Sequence, residues 1–471
     1  MPYKNVALNT ESAYFDAGVE NIKRLKLVMV HPNSKKGWHD QKDKDFFRVV
    51  NQKEIMNAKN SDTLFNKYAE QDPKLFDYVE SFVSEYNTYH IFDRKYTGKV
   101  LNQMVLKATD LLVQCYALLK EEEIDLVITH DSPHSLVDFT FCRCAEYMGI
   151  RVLNIRKSIY PWRVKVFDGL GVKSSHLQFD FDNANEHLQQ LAKDYEKTLR
   201  ASDYMDMMPS GDKKMYSAAK GKLFHWPNEI REVIAERHKK NMLQNFRSRF
   251  YKVKALKSMQ RIWKRPEKGE KYVSFFLHRQ PERSTCPEGG IFNTQIMVAK
   301  YLRAMLPDDV AIYVKEHPAT FRRKINHRYR YMDFYNDVMS IPNAYMADMT
   351  APETEFIDNS LFCSTITGTI GFEAVARGKN LLYFGDSSYK GCPNTYFVED
   401  VIANPELKEK LLRSNPDERE SYREFMDFEL KNSHGNLNEG EGFADKEVYQ
   451  RSWTEAFIKF LDKWELAETE A

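Results

Sequence analysis

Apolar residues fall along the chain in short runs that alternate with longer stretches at helical spacing. The first run, residues 25–30 (LKLVMV), opens into a polar loop after His31-Pro32, which is how a buried parallel strand reads. Residues 35–100 are polar and aromatic, with a helical cast. Residues 101–120 carry apolar positions at helical spacing and end in the acidic run 121–123. A strand follows at 124–129 (IDLVIT), then a helix ending at Gly149, then a strand at 151–155 (RVLNI). Strand, helix and strand within about 30 residues make a βαβ unit, which implies parallel pairing.

The alternation restarts after a long charged stretch. Residues 183–270 read as mostly helical, with one helix starting at Trp226-Pro227, and Pro266 to Gly269 breaks the pattern. Strands are then predicted at 272–277, 311–315, 344–346, 361–364 and 380–384. Helices are predicted at 292–306, 354–359 and 371–377, and an amphipathic helix at 448–466 with Trp453, Phe457, Phe460, Leu461 and Trp464. The expected architecture is α/β, with two Rossmann-like domains facing a cleft, a helical insertion and a C-terminal amphipathic helix. The expected domains are 1–268, including a basic helical segment 183–268, then 269–447. The helix 448–471 would pack back on the N-terminal domain.

The chain has 471 residues, with 69 Lys+Arg against 68 Asp+Glu, a length that suits two or three domains. No apolar run approaches the roughly 20 residues needed to cross a bilayer, and the N-terminus lacks the pattern of a signal peptide. Six cysteines without paired spacing do not make a disulfide scaffold. A cytoplasmic protein is expected. Near-zero net charge argues against a dedicated nucleic-acid binder. One segment departs from that balance: residues 231–271 hold fourteen Lys/Arg against four Glu. Such a stretch is ordinarily a solvated helical face, and it would also attract acidic lipids or an anionic glycan.

Four polar clusters sit after predicted strands, where open α/β sheets bind ligands. In Ser364-Thr365-Ile366-Thr367-Gly368-Thr369-Ile370-Gly371-Phe372-Glu373, a strand gives way to a hydroxyl- and glycine-rich turn and then a helix. Amides at a helix start and nearby hydroxyls suit a phosphate; ordinary capping is the plainer reading. The turn lacks the lysine of an ATPase loop. Lys315-Glu316-His317-Pro318 places a histidine at a strand end, able to donate to a phosphate or merely to cap a turn. Thr129-His130-Asp131-Ser132-Pro133-His134 offers general-base candidates, with Asp131 as a helix cap the alternative. The loop His278-Arg279-Gln280-Pro281-Glu282-Arg283 is charged and placed to reach the cleft, unless its ion pairs simply hold a solvated loop.

Other patterns are weaker. Asp180-Phe181-Asp182 matches a short metal-nucleotide motif. Gly169-Leu170-Gly171 lacks the third glycine of a dinucleotide fingerprint. Cys142 and Cys144 have no second ligand pair and read as core rather than zinc ligands.

The QPE of 280–282, the KEHP of 315–318 and the stretch STITGTIGFEAVARGKNLLYFG at 364–385 together resemble the bacterial capsular polysaccharide biosynthesis family. HDSPHSLVDF at 130–139 looks like that family's N-terminal-domain loop. The resemblance is best over 272–390 and thinner over 124–160; segments 35–100 and 183–270 carry none. It implies a glycosyltransferase of the two-domain GT-B architecture, some relatives using CMP-activated ulosonic acids such as Kdo. His317 and Pro318 would match the HP motif that meets the donor phosphate. Ser364, Thr365, Thr367, Gly368 and Thr369 would match the phosphate turn, and Glu373 the acidic residue of the next helix. Asp131 would be the base, supported by His134. Some relatives carry Q-x-x-x-D, whereas the stretch from Gln280 reaches Ser284, leaving Glu282 as the acidic participant and a covalent mechanism in question. Arg279, Gln280, Lys315 and Glu316 are further cleft candidates.

The expected partners are a nucleotide sugar, with a CMP donor favoured, and a glycan or glycolipid acceptor. No cofactor, metal or nucleic acid is expected. Basic residues 231–271 offer peripheral contact with the inner membrane. The competing readings are a UDP-hexose transferase or sugar-nucleotide epimerase, and a non-catalytic polysaccharide assembly protein.

Overall fold

The computed structural model describes residues 5–9, 25–30, 47–95, 100–160, 163–178, 242–317, 320, 329–331, 333–413, 418–435, 451 and 453–462. Pro318, Asp180 to Asp182, Trp226-Pro227, residues 231–241 and Trp464 lie outside them. The chain forms two compact units: Met1–Gln189 with Glu429–Ala471, and Gln190–Phe428.

The first unit is built on one sheet. Its strands are β1 (Val6–Asn9), β2 (Leu25–Val30), β3 (Arg48–Asn51), β4 (Leu126–His130), β5 (Arg151–Lys157), β6 (Arg163–Asp168) and β7 (Ser175–Leu177). The order β5-β4-β1-β2-β3 is parallel throughout. Read as 3-2-1-4-5, it is the Rossmann order, with its switch point between β1 and β4. β6 and β7 extend the sheet antiparallel, and a short strand from the returning C-terminus, His434–Gly435, pairs with β6.

Residue alternation divides the two faces of this sheet. Leu8, Ile128, Leu153, Ile155, Val164 and Val166 form one apolar face, against which Trp453, Phe457 and Leu461 of the C-terminal helix pack at i, i+4 and i+8. Trp453 and Phe457 stack with ring centroids 5.2 Å apart. The intervening positions Asn9, Thr129, Asn154, Arg156 and Lys165 belong to the other face, and all are buried. Lys165 forms an ion pair with Glu429, both nearly inaccessible, and Ser158 Oγ donates to the same carboxylate at 2.7 Å. The segment after residue 428 is therefore part of this sheet's packing on both faces.

Between β3 and β4 the helices Gln52–Asn57, Ser61–Ala69, Lys74–Ser84 and Tyr86–Lys95 precede the long helix Leu101–Glu121. The helical expectation for this region thus holds in the main, with β3 added. β1 has no counterpart in the sequence expectations. Four residues give too little alternation to register as a strand, yet β1 is the middle one of the sheet's five parallel strands.

The second unit holds a seven-stranded sheet. Its strands are β8 (Trp263–Lys264), β9 (Tyr272–Phe276), β10 (Ala311–Lys315), β11 (Ala344–Ala347), β12 (Cys363–Thr365), β13 (Leu381–Tyr383) and β14 (Thr395–Phe397). All pair in parallel, in the order β14-β13-β12-β9-β10-β11-β8. Counted from β9, the run β11-β10-β9-β12-β13-β14 is again 3-2-1-4-5-6, with the switch point between β9 and β12. Helix Met242–Gln260, read in sequence with the first half, packs Ala255, Leu256 and Met259 into this unit's core. β8 pairs with β11.

Candidate functional site

β9 and β12 diverge at the second switch point, and His278 stands just beyond β9. Its main chain is clamped by the buried Gln295 amide, which accepts from His278 N at 2.6 Å and donates to His278 O at 3.0 Å. The imidazole, 5% exposed, reaches across to the end of β12. Thr367 N donates to Nε2 at 3.2 Å, so Nε2 carries no proton, and Nδ1 donates to Ser284 Oγ at 3.1 Å. Thr365 Oγ1 lies 3.1 Å from Nε2 and accepts from Gly368 N at 3.3 Å. A Cβ on Gly368 would come within 2.9 Å of Thr365 Oγ1 and 3.1 Å of the imidazole, so this closeness excludes a side chain.

The turn is thus fastened from inside. Thr367 Oγ1 donates to Ser284 O at 3.0 Å. Ser364 and Thr365 are buried, Thr367 and Gly368 half-buried, and Thr369 is exposed. The amides of Thr367 and Gly368, expected for phosphate, are engaged within the protein. Those of Thr369 and Ile370 have no acceptor among the described residues. Glu373, the acidic residue of the helix after the turn, is 1% exposed in helix Ile370–Ala376, close enough to Tyr389 to help raise its phenol pKa after burial. Tyr389 itself donates to Gly368 O.

Burial pulls the His278 pKa down to about 3, with the charges of His317 and Arg330 adding to the effect. A histidine that titrates near 6.5 when unfolded and near 3 when folded binds more protons unfolded. Its contribution is intact above about pH 6.5 and is lost as pH falls toward the folded value. Between pH 6.5 and 5 the loss is about 2 kcal/mol. Urea unfolding at the two pH values should therefore show His278→Asn losing about 2 kcal/mol less than the parent; equal losses would refute a buried neutral imidazole.

β10 delivers the second group. Lys315 and Glu316, expected to face the cleft, are instead interior. Lys315 Nζ donates to the carbonyls of Asp348 at 2.8 Å and Ala351 at 2.6 Å, over the Phe356 ring, and burial lowers its pKa. Glu316 is fully buried. Its Oε1 accepts from His317 N at 2.7 Å, Thr320 Oγ1 at 3.1 Å and Arg330 Nη2 at 3.0 Å. Its Oε2 accepts from Arg330 Nε at 2.6 Å and Tyr335 Oη at 2.9 Å.

Arg330 also donates to His278 O at 2.8 Å and Gln280 Oε1 at 2.9 Å, so one guanidinium joins the loops after β9 and β10. His317, half-buried, stands at the edge of this network. Gln280 completes it by donating to Asn293 O and Oδ1, both at 2.6 Å. Arg279 and Glu282 pair at 3.8 Å, each about one-third exposed, and Arg283 pairs with the buried Glu288 at 3.1 Å.

In the first unit the switch point presents a polar row. Asn9, Thr129 and Asn154 are register partners on three adjacent strands, and Asn9 Nδ2 donates to Thr129 Oγ1 at 3.4 Å. Asp131 follows β4 with φ +48°, a left-handed conformation that costs a non-glycine residue of order 1 kcal/mol, and its N–H donates to Ile155 O at 2.7 Å. The helix cap that was the alternative role for Asp131 is Ser135, whose Oγ accepts from Asp138 N at 3.3 Å. His134 is exposed, with Nδ1 3.2 Å from the carbonyl of Ser132.

Cys142 and Cys144 are buried, Cys142 Sγ accepting from Asn9 Nδ2 at 3.0 Å. No group of three or more metal-ligating side chains occurs among the described residues, and none of the helices searched there is long and apolar enough to cross a membrane. Gln295, Glu288 and Arg330 emerge only from the structure as site-building residues, and His278, part of a charged loop in sequence, gains its role as the lock of the turn there.

Fold and site together define an α/β protein with two Rossmann-ordered sheets and a hydroxyl-rich turn locked at the second sheet's switch point. Residues 283–397, which hold most of that turn's neighbourhood, match the family model described as capsule polysaccharide biosynthesis protein. No curated protein matches the chain by sequence. Among solved structures, the chain is similar to the beta Kdo 2,7 transferase of Thermosulfurimonas dismutans KpsC, at 11% identity and TM-score 0.28, covering 60% of this chain and 72% of that one. It is also similar to the KpsC beta Kdo 2,4 transferase of the same organism, at 11% identity and TM-score 0.25, covering 64% and 79%. A third likeness is to UDP-GlcNAc 2-epimerase of Neisseria meningitidis bound to UDP-GlcNAc, at 14% identity and TM-score 0.23, covering 90% and 96%. At these scores the likenesses carry no functional weight.

Proposed function

We propose that this chain is a glycosyltransferase of capsule polysaccharide biosynthesis that takes a sugar from a nucleotide donor, favouring a CMP-activated ulosonic acid. The reading rests on the second switch point, where His278 locks the turn 365–368 and Arg330 ties it to the strand end bearing His317. It is supported by the family match over residues 283–397, which include the turn, His317 and Arg330. In the reaction the acceptor oxygen bonds to the sugar carbon as that carbon's bond to the donor phosphate breaks, the electron pair leaving with the phosphate oxygen. His317 and the amides of Thr369 and Ile370 are assigned to that phosphate, where donors fixed beforehand stabilise developing charge. Asp131 is the base that takes the acceptor proton, and Glu282 is the alternative acidic participant.

Calorimetry with CMP, CDP, UMP, UDP and ADP, with and without EDTA, tests the donor assignment. The expected result is CMP preferred and EDTA without effect. Preference for UDP would replace the donor with a UDP sugar. Failure of every nucleotide to bind would overturn the enzyme reading.

A further inference from the structure

Helix Met242–Gln260 has five Lys/Arg and no acidic residue in its nineteen positions. Its inner face is spoken for, since Ala255, Leu256 and Met259 are buried in the core of the second unit. Outward it presents Phe250, Lys254 and Lys257, with Arg261 just past its end. The spacing of four, three and four residues aligns them in one stripe, because successive helical residues turn by about 100°.

Phe250 is 68% exposed, the most exposed large apolar side chain among the described residues. Lys254, Lys257 and Arg261 form no ion pair among the described residues. The next two cations differ: Arg265 binds Asp348 at 2.9 Å and Lys264 approaches Glu270 at 4.0 Å. Three cations without ion-pair partners among the described residues, in line after an exposed aromatic ring on an anchored helix, complement an interface that is negative at its surface and apolar just beneath.

We propose that this stripe docks the protein on an anionic lipid bilayer, the three cations meeting phosphate headgroups and Phe250 entering the acyl boundary. A dissolved polyanion would use the charges and leave the ring idle, so Phe250 distinguishes the two.

The test is flotation of the full chain with vesicles of phosphatidylcholine alone or with phosphatidylglycerol added, at low and high salt. Binding is expected only to the anionic vesicles and only at low salt. The variant Lys254→Gln/Lys257→Gln/Arg261→Gln is expected to partition roughly 100-fold less, and Phe250→Ala at least about tenfold less. Glutamine suits an exposed helix, and an unchanged thermal transition checks the fold of both variants. Absence of anionic preference, or triple-variant binding equal to the parent, overturns the proposal. So does unchanged flotation of Phe250→Ala, which would mark the stripe as a general polyanion face. Nucleotide calorimetry is independent of every arm, so docking and the transferase reading fail separately.

Discussion

Replacing Arg330 with methionine should cost about 3–5 kcal/mol of stability, because it strands a buried carboxylate. Glu316 is 0% exposed, and its two oxygens receive two of their five hydrogen bonds, one each, from that one guanidinium. The same side chain holds His278 O and Gln280 Oε1, so no single substitution on the other loop compensates for its loss. Pairing the change with Glu316→Gln removes the stranded charge. The double variant should therefore recover at least about 2 kcal/mol relative to the sum of the singles. Urea unfolding of the four proteins measures both quantities. Additive losses, or a single loss below about 1 kcal/mol, would mean that Arg330 and Glu316 are not coupled as the geometry requires.

The second large effect is chemical. His317→Ala should lower kcat/KM for sugar transfer about 10²–10³-fold, the usual cost of removing one donor from a developing oxyanion. The main chain at this position is held through His317 N and Glu316, a bond that alanine keeps. Stability should accordingly stay close to that of the parent while turnover and nucleotide affinity fall together. The comparison with Arg330→Met is informative, since that variant loses stability as well as activity. Full turnover by His317→Ala would remove the histidine from the phosphate.

Many of the strand positions could be read from the chain, because buried parallel strands announce themselves as short apolar runs; those at 272–277, 311–315 and 380–384 lie almost where the structure has them. β1 could not, being four residues long in a polar N-terminus. Nor could the assignment of helix Met242–Gln260, because its charged face dominates the composition while only a few small and apolar residues fix its partner.

At the site, the sequence pointed to the right loops but not to the inward or outward direction of each side chain. Lys315 is the last residue of a strand buried along its whole length, and a strand-end lysine looks the same in sequence whether it meets ligand or backbone carbonyls. Arg330 lies fourteen residues beyond the carboxylate it serves, in a run of Arg and Tyr that carries no motif. His278 was in view as part of a charged loop. Its neutrality follows from burial and from the Thr367 amide, which no spacing encodes.

The return of the chain to the first sheet has a consequence for biosynthesis. Strands β1 to β7 leave the ribosome first, but their apolar face waits for Trp453, Phe457 and Leu461, and Lys165 waits for Glu429. The second unit is contiguous from 190 to 428 and has every strand of its sheet in hand before those residues are made. Domains ordinarily mature in the order of translation. Here the half synthesised first matures last, and until then it carries an open apolar face and a Lys165 that lacks Glu429, which makes the nascent first unit the natural client for a chaperone.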